Sequence, residues 1–314
     1  MRIVSLLPST TEIIAALGRK GDLVGRSHEC DYPAEVSALP TCTEPKFQTD
    51  GSSRKIDQRV KTLIREGLSV YQVNEEQMNS LEPDLIITQD HCEACAASLD
   101  DVNEAVHQKL GPDVQVLSVS PTDLSSVIQS IRDIARAIDA EEAAETLTAR
   151  MKSELQAIQD KTEQLYRPEV LALEWMEPLM TTGNWIPQLI QLAGGIPIGA
   201  ESGEPSPQID WQEIRRLDPP IITIMPCGYC IDQTLKELDT LTSRRGWNQM
   251  RAVKNRQVYL LDGHHYFNRP GPRLVDSTRI LAEIIHPSIF RNKEHPGWIN
   301  LAEHRFYQNV KNHE

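Results

Sequence analysis

The sequence predicts an α/β protein of two lobes joined by a long backbone helix, with ligand chemistry in a cleft between them. Three observations carry this prediction. Short apolar runs alternate with amphipathic segments in both halves of the chain, the signature of strands and helices in layered α/β folds. Residues 123–165 contain neither Pro nor Gly and repeat apolar residues at spacings of three and four, so this central stretch reads as helix. Two stretches also share a plan, LEPDLIITQDHC (81–92) and LDPPIITIMPC (217–227). Each is a Pro-containing link, an apolar strand and a polar turn bearing cysteine. The lobes are therefore Rossmann-like in plan, with functional groups expected at the carboxyl ends of their strands.

RIVSLL (2–7) reads as a buried strand, followed by a turn at Pro8–Thr11 that opens a helix running to Gly18. The hydroxyls of Ser9, Thr10 and Thr11 are expected to cap its free amides. DLVGRS is a second strand, residues 55–67 are helical, LSVYQV is extended, and EEQMNSLEPDLIITQ is a helix, a turn at Pro83 and a strand. VQVLSVS closes the first lobe. The helical segment 123–165 is expected to break near Asp139. Beyond Pro168 the strands are EVLALEWM, IITIM and QVYLLDG, and the helices are NWIPQLIQLAG, IDWQEIRRLDP, DQTLKELDTL and PRLVDSTRILAEII. From residue 291 no period is evident. The expected divisions are 1–122, an α/β lobe; 123–166, the bridging helical segment; 167–288, a second α/β lobe; and 289–314, an appendage.

With 32 Lys and Arg against 45 Asp and Glu, the net charge of −13 disfavours nucleic acid as a partner. No run reaches the roughly 20 apolar residues of a membrane span. G-x-S-x-G, P-loop and G-x-G-x-x-G motifs are all missing, which favours binding over catalysis.

Cys92 and Cys95 lie two residues apart in TQDHCEACAAS, and Cys227 and Cys230 repeat that spacing in PCGYCID. Such pairs orient two sulfurs towards one ion, and one pair is half of a four-ligand site. Cys30, in HECDYP, adds a third loop. A shared site on Cys30, Cys92, Cys95 and Cys227, with Cys230 beside it, would hold zinc or an iron–sulfur cluster. Separate redox pairs and unliganded thiols stand as alternatives, although Asp90 and Glu93 oppose thiolate formation at the first pair.

GHHYFNRPGPRLVD (263–276) is the other concentrated signal. His264 and His265 offer axial ligands to a chelated metal. Tyr266 and Phe267 offer stacking surface, and Arg269 and Arg273 offer forked donors for carboxylate or amide groups. Pro270 and Pro272 stiffen the loop. Trp175 and Trp185 are candidate walls for a flat macrocycle.

These stretches carry a family resemblance. RIVSLLPSTTEIIAALG, LVGRSHECDYP, LEPDLIITQDHCEAC, EWMEPLMTTGNWIPQLIQLAGG, MPCG and YFNRPGPRLVD resemble the class III periplasmic binding protein fold of vitamin B12 and iron-siderophore importers, most closely its cobalamin-binding subgroup. The resemblance spans about residues 1–288 and implies a rigid two-lobed protein holding a metal chelate. It places Ser9 and Thr10 of the first polar turn, the loop from His28 to Tyr32, Trp175, Trp185 and the Cys227 loop near the ligand.

The function expected is thus binding of a corrinoid, cobalamin or a related tetrapyrrole, with a cysteine metal site. An iron–sulfur redox protein or enzyme and a zinc-stabilised interaction protein are the alternatives. The start of the chain shows no export leader. That predicts a cytoplasmic member, or a periplasmic one had a leader been removed, and counts against docking to an ABC permease.

Overall fold

The computed structural model describes residues 1–49, 51–65, 70–89, 113–290 and 297–304. They form two α/β units, as the alternation of strand and helix predicts. The first comprises Met1–Gly51 and Lys55–Met151, and the second Ser52–Arg54 and Lys152–Glu314.

In the first unit, β1 (Ile3–Ser5) lies between β2 (Leu23–Arg26) and β5 (Leu85–Gln89), and β6 (Gln115–Val119) continues the sheet beyond β5. All three pairings are parallel. Parallel strands are covered on both faces and so require unbroken apolar runs. β1 is wholly buried, as is β5 up to Thr88. Val4, Leu6, Met78 and Ile86 pack with Cys42 into a core cluster. A separate antiparallel ribbon joins β3 (Thr43–Pro45) to β4 (Tyr71–Val73).

The central segment is two helices, Leu124–Ala137 and Glu141–Thr162. Asp139, at φ +52°, turns the chain between them. Asp123 caps the first helix by accepting the Ser126 amide at 2.8 Å. Hydrogen bonds from Ser126 hold the Asp123 carboxyl below the usual carboxylate range. The boundary between the units falls inside the second helix.

The second unit is built on β7 (Glu169–Met176), β10 (Ile221–Ile224) and β11 (Val258–Leu261), which run parallel. β9 (Ile196–Ile198) pairs in parallel with the first half of β7, and β8 (Leu179–Thr181) folds back antiparallel on its second half. At the far edge, β12 (Trp298–Asn300) pairs antiparallel with β11. It comes from the stretch in which the sequence shows no period, because three residues are too few to display one. Leu171, Leu173, Ile222, Ile224, Val258 and Leu260 face Ile214, Leu241 and Trp247 in the core.

Three helix C-termini meet at one point of this unit. Gly194, at φ +84°, follows the helix Ile186–Leu192, and a Cβ there would sit 2.5 Å from His286 Nε2 and 2.6 Å from Thr162 Cβ. His286, just past the helix Leu274–Ile285, is buried and lies 3.3 Å from the Gly194 carbonyl through Nε2. Burial lowers its pKa from the ordinary value of 6.5, and the bond to Gly194 opposes this only partly.

The sign of the pH dependence follows. The unfolded chain binds the proton more readily than the folded one, so this contribution to stability is full above the unfolded pKa and is lost as pH falls through it towards the folded pKa. His286→Gln is expected to flatten the decline of the urea midpoint between about pH 7.5 and 5.5, the range that brackets an ordinary imidazole. An unchanged slope would assign the pH dependence to other groups.

Candidate functional site

The segment singled out in the sequence sits where two parallel strands of the second unit end. β10 runs out into Met225–Cys230, and β11 into Asp262 and a π-helical turn over Gly263–Phe267. Gly263 lets the two loops touch, because a Cβ on it would lie 2.2 Å from the Pro226 carbonyl oxygen and 2.8 Å from that of Met225. The His264 amide donates to the Tyr229 carbonyl at 3.0 Å. Asn268 Nδ2 donates to the Gly263 carbonyl at 3.0 Å and reaches the Met225 carbonyl at 3.5 Å.

Asp262 organises the turn. Its carboxylate accepts the His265 amide at 2.9 Å and contacts His265 Nδ1 at 2.8 Å. Burial pushes the Asp262 carboxyl up, but the hydrogen bonds and charge of His265, with the charge of His264, outweigh it and hold the group below the usual range. An ionised carboxylate on Nδ1 makes that nitrogen the donor, so Nε2 keeps its lone pair, the arrangement that prepares imidazole for a metal. The His265 side chain is 39% exposed and within reach of a ligand.

His264 is held differently. The guanidinium of Arg269, a residue only 4% exposed, donates to His264 Nε2 at 2.8 Å. The two imidazoles meet edge to face with centroids 4.6 Å apart. Arg273 lies over the Tyr266 ring at 5.4 Å, a cation–π contact. Phe267 is fully buried, and its carbonyl accepts the Trp185 indole N–H at 2.9 Å. Trp185, 7% exposed, thus anchors the back of the loop. Trp175, at the end of β7, stands edge-on to Tyr229 at 5.4 Å, and its indole N–H is buried with no acceptor among the described residues. Beside it, burial raises the Glu174 carboxyl above the usual range, partly offset by the Ser206 hydroxyl that donates to it.

The first-unit residues have other partners. Ser9 and Thr10 are buried in the first turn of the helix Pro8–Ala16, which has no side-chain cap. The Thr10 hydroxyl bonds the Leu7 carbonyl at 3.1 Å and Ser5 Oγ at 2.7 Å. Thr11 donates to Ser5 Oγ at 2.8 Å and to Cys30 Sγ at 3.1 Å. The expected capping fails because Pro8, with no N–H, opens the helix, and the Thr10 and Thr11 hydroxyls turn towards Ser5 of β1 instead.

Cys92 and Cys95 lie outside the described residues. Cys30 is 1% exposed, while Cys227 and Cys230 are half-buried. Among the described residues, no group of three or more side chains placed to hold a metal includes a cysteine. The iron–sulfur expectation is corrected on that ground: the second unit brings together imidazole and carboxylate at Asp262 and His265, not thiolates. Asp262 escaped sequence reasoning, although its position three residues before His265, at the end of an apolar strand, is the spacing of an N-cap.

Residues 3–264 match the family model described as periplasmic binding protein. An uncharacterized ABC transporter substrate-binding lipoprotein of Bacillus subtilis is 28% identical over 297 residues, covering 92% of this chain and 81% of its own. The vitamin B12-binding protein of Vibrio cholerae serotype O1 is 24% identical over 279 residues, covering 88% and 86%. Among solved structures, a periplasmic heme-binding protein from Pseudomonas aeruginosa shares the fold at a TM-score of 0.71 and 20% identity, over 95% of this chain and 96% of its own. These comparisons point to a periplasmic or secreted protein and correct the cytoplasmic expectation. The opening residues that suggested it form β1, and they report fold rather than address. No helix among the described residues is long and apolar enough to cross a membrane.

The contact between Gly263 and Pro226 sets a direct test. Because backbone oxygens rather than a flexible side chain occupy the space, Gly263→Ala is expected to destabilise the protein by about 1–3 kcal/mol, read as a lower urea midpoint with an unchanged m-value.

Proposed function

The chain belongs to the periplasmic binding protein family, and from that premise we propose that it captures a tetrapyrrole metal chelate, a corrinoid or a heme, for delivery to an ABC importer. The observation that carries this reading is the Asp262–His265 pair. A carboxylate on Nδ1 orients the ring and raises the basicity of Nε2, which suits an axial bond to a metal already held in a macrocycle. A macrocycle leaves only axial positions open, so one presented imidazole suffices where a bare ion would need several ligands. The edge-to-face Trp175–Tyr229 pair offers apolar surface nearby, and the Trp175 N–H, which has no acceptor among the described residues, offers a donor for a peripheral oxygen. A buried donor without an acceptor costs about 1–3 kcal/mol, and a ligand that supplies the acceptor recovers it.

The comparisons support the class and leave the member open, since vitamin B12-binding and heme-binding proteins are both among the matches. The same imidazole serves cobalt and iron. Arg273 stacked on Tyr266 presents charge that favours the carboxylates of a heme over the amides of a corrinoid. Delivery to an importer follows from the family premise and from the lipoprotein relative, itself described as a substrate-binding component of an ABC transporter.

Titration with hemin and, separately, with aquacobalamin, followed by absorbance, is the test. One of the two is expected to bind with a Kd at or below about 1 μM, equivalent to about −8 kcal/mol. His265→Ala is expected to weaken that ligand at least about tenfold and to shift its absorption band, and Asp262→Asn to weaken it about 10-fold, as second-sphere partners of ligating histidines do. His264→Ala should act mainly through stability. Absence of binding by either chelate to folded protein would overturn the proposal.

A further inference from the structure

Tyr229 joins the histidine loop to the aromatic wall, and it is held at its backbone and at its tip. Its backbone N–H donates to the Pro226 carbonyl at 3.0 Å, and its carbonyl accepts the His264 amide at 3.0 Å. Its ring, in a residue 8% exposed, takes the edge-to-face contact with Trp175 at 5.4 Å and 65°. At the tip, its hydroxyl donates to Glu237 Oε1 at 3.1 Å. Burial, with the charge and hydrogen bond of Glu237, pushes the phenol above its ordinary range, so the hydroxyl keeps its proton and is the donor.

Glu237 works against its own helix. It is the last residue of the helix Ile231–Glu237, where the terminal carbonyls disfavour a negative charge. The Ser53 N–H offsets this, lying 2.8 Å from Oε1 and 2.7 Å from Oε2. Residues 52–54 belong to the second unit, and Ser53 is 1% exposed. That amide orients the carboxylate, and the Tyr229 hydroxyl meets an acceptor already fixed. The ring needs such an acceptor, because rotation of a tyrosine about χ2 is broad and the two backbone bonds do not reach it. The bond at the tip is directional, whereas ring packing is not.

We propose that Glu237 is a positioning residue of the ligand site, acting through the Tyr229 hydroxyl to hold the tilt of Tyr229 against Trp175. The wall offered to a flat ligand then depends on a carboxylate that is not itself part of the wall. Without the bond, the Tyr229 ring turns more freely and Trp175 loses the fixed face it stands on. The indole N–H then leaves the position from which it would meet a peripheral oxygen. The consequence for ligand affinity rests on the tetrapyrrole reading; the consequence for Trp175 does not.

The test uses the intact protein with Tyr229→Phe, which removes only the hydroxyl, and Glu237→Leu, which removes the acceptor. In the first arm there is no ligand. Trp175 emission is isolated by subtracting the spectrum of each protein carrying Trp175→Phe from that of its parent. The expected result is a change in emission maximum and in acrylamide quenching, of the same sign in both variants and no larger in the double variant. Glu237→Gln, which keeps one acceptor oxygen, should fall between wild type and Glu237→Leu. In the second arm, hemin or aquacobalamin, whichever binds, is titrated. Each variant is expected to lose affinity at least about fivefold, the low end of ordinary coupling between sites. The double variant should lose no more than either single one, because both remove the same bond. A purely structural role would lower the urea midpoint and leave the Trp175 signal of the folded protein unchanged. That result, affinity losses that multiply in the double variant, or a bound chelate whose affinity neither variant alters would each overturn the proposal. Where neither chelate binds, the tetrapyrrole reading falls and the emission arm still decides the role of Glu237.

Discussion

The approach of Gly263 to the Pro226 carbonyl is the constraint on which the candidate site depends. Two parallel strands, β10 and β11, deliver two loops side by side, and loops of ordinary residues would be kept apart by their side chains. With hydrogen at Gly263, the backbones close to a distance that a Cβ would reduce to 2.2 Å. The His264 amide then finds the Tyr229 carbonyl, Asn268 bridges to the Met225 and Gly263 carbonyls, and the π-helical turn winds with Asp262 as its cap. That contact sets the backbone from which Asp262 meets His265.

Much of the architecture was legible in the sequence, for a physical reason. Strands buried on both faces have no polar side to alternate, so IVS, LIIT and IITI appear as continuous apolar runs between turn residues, and they are β1, most of β5, and β10. The break in the central helical segment at Asp139 was legible too, since a short polar side chain tolerates positive φ where most residues do not. β12 was not legible. Its pairing with β11 is set by tertiary contact, and a three-residue strand has no period to read.

The candidate site was legible in composition but not in assignment. GHHYFNRPGPR announced ligands, rings and cations in one stiff loop, and the structure ties that loop down through the His264 amide, Asn268 and the Phe267 carbonyl. Phe267 and Trp185, which look like ligand surface in the sequence, are committed to each other through the indole N–H and the Phe267 carbonyl. The hydroxyls of Thr10 and Thr11 are committed to β1 and Cys30. Residue type states what a side chain can do, whereas its partner states what it is already doing, and only the fold supplies partners. The cysteines show the same limit: equal spacing in CEAC and CGYC suggested two halves of one site, yet spacing says nothing of whether sulfurs converge.

Two adjacent histidines make the point sharpest. In sequence, His264 and His265 are interchangeable as axial ligands. In the structure, they receive opposite electrostatic partners. A carboxylate at His265 Nδ1 stabilises a proton there and leaves electron density at Nε2, whereas a guanidinium at His264 Nε2 claims the lone pair of that ring. The charge of Arg269 would also oppose a metal cation approaching the same nitrogen, because like charges at hydrogen-bond distance in a half-buried setting repel by several kcal/mol. Asp262 has the reverse effect at His265, since its negative charge would favour a cation approaching Nε2. The loop thus carries two imidazoles with opposite partners, and the division is made by two residues, Asp262 and Arg269, on either side of the pair.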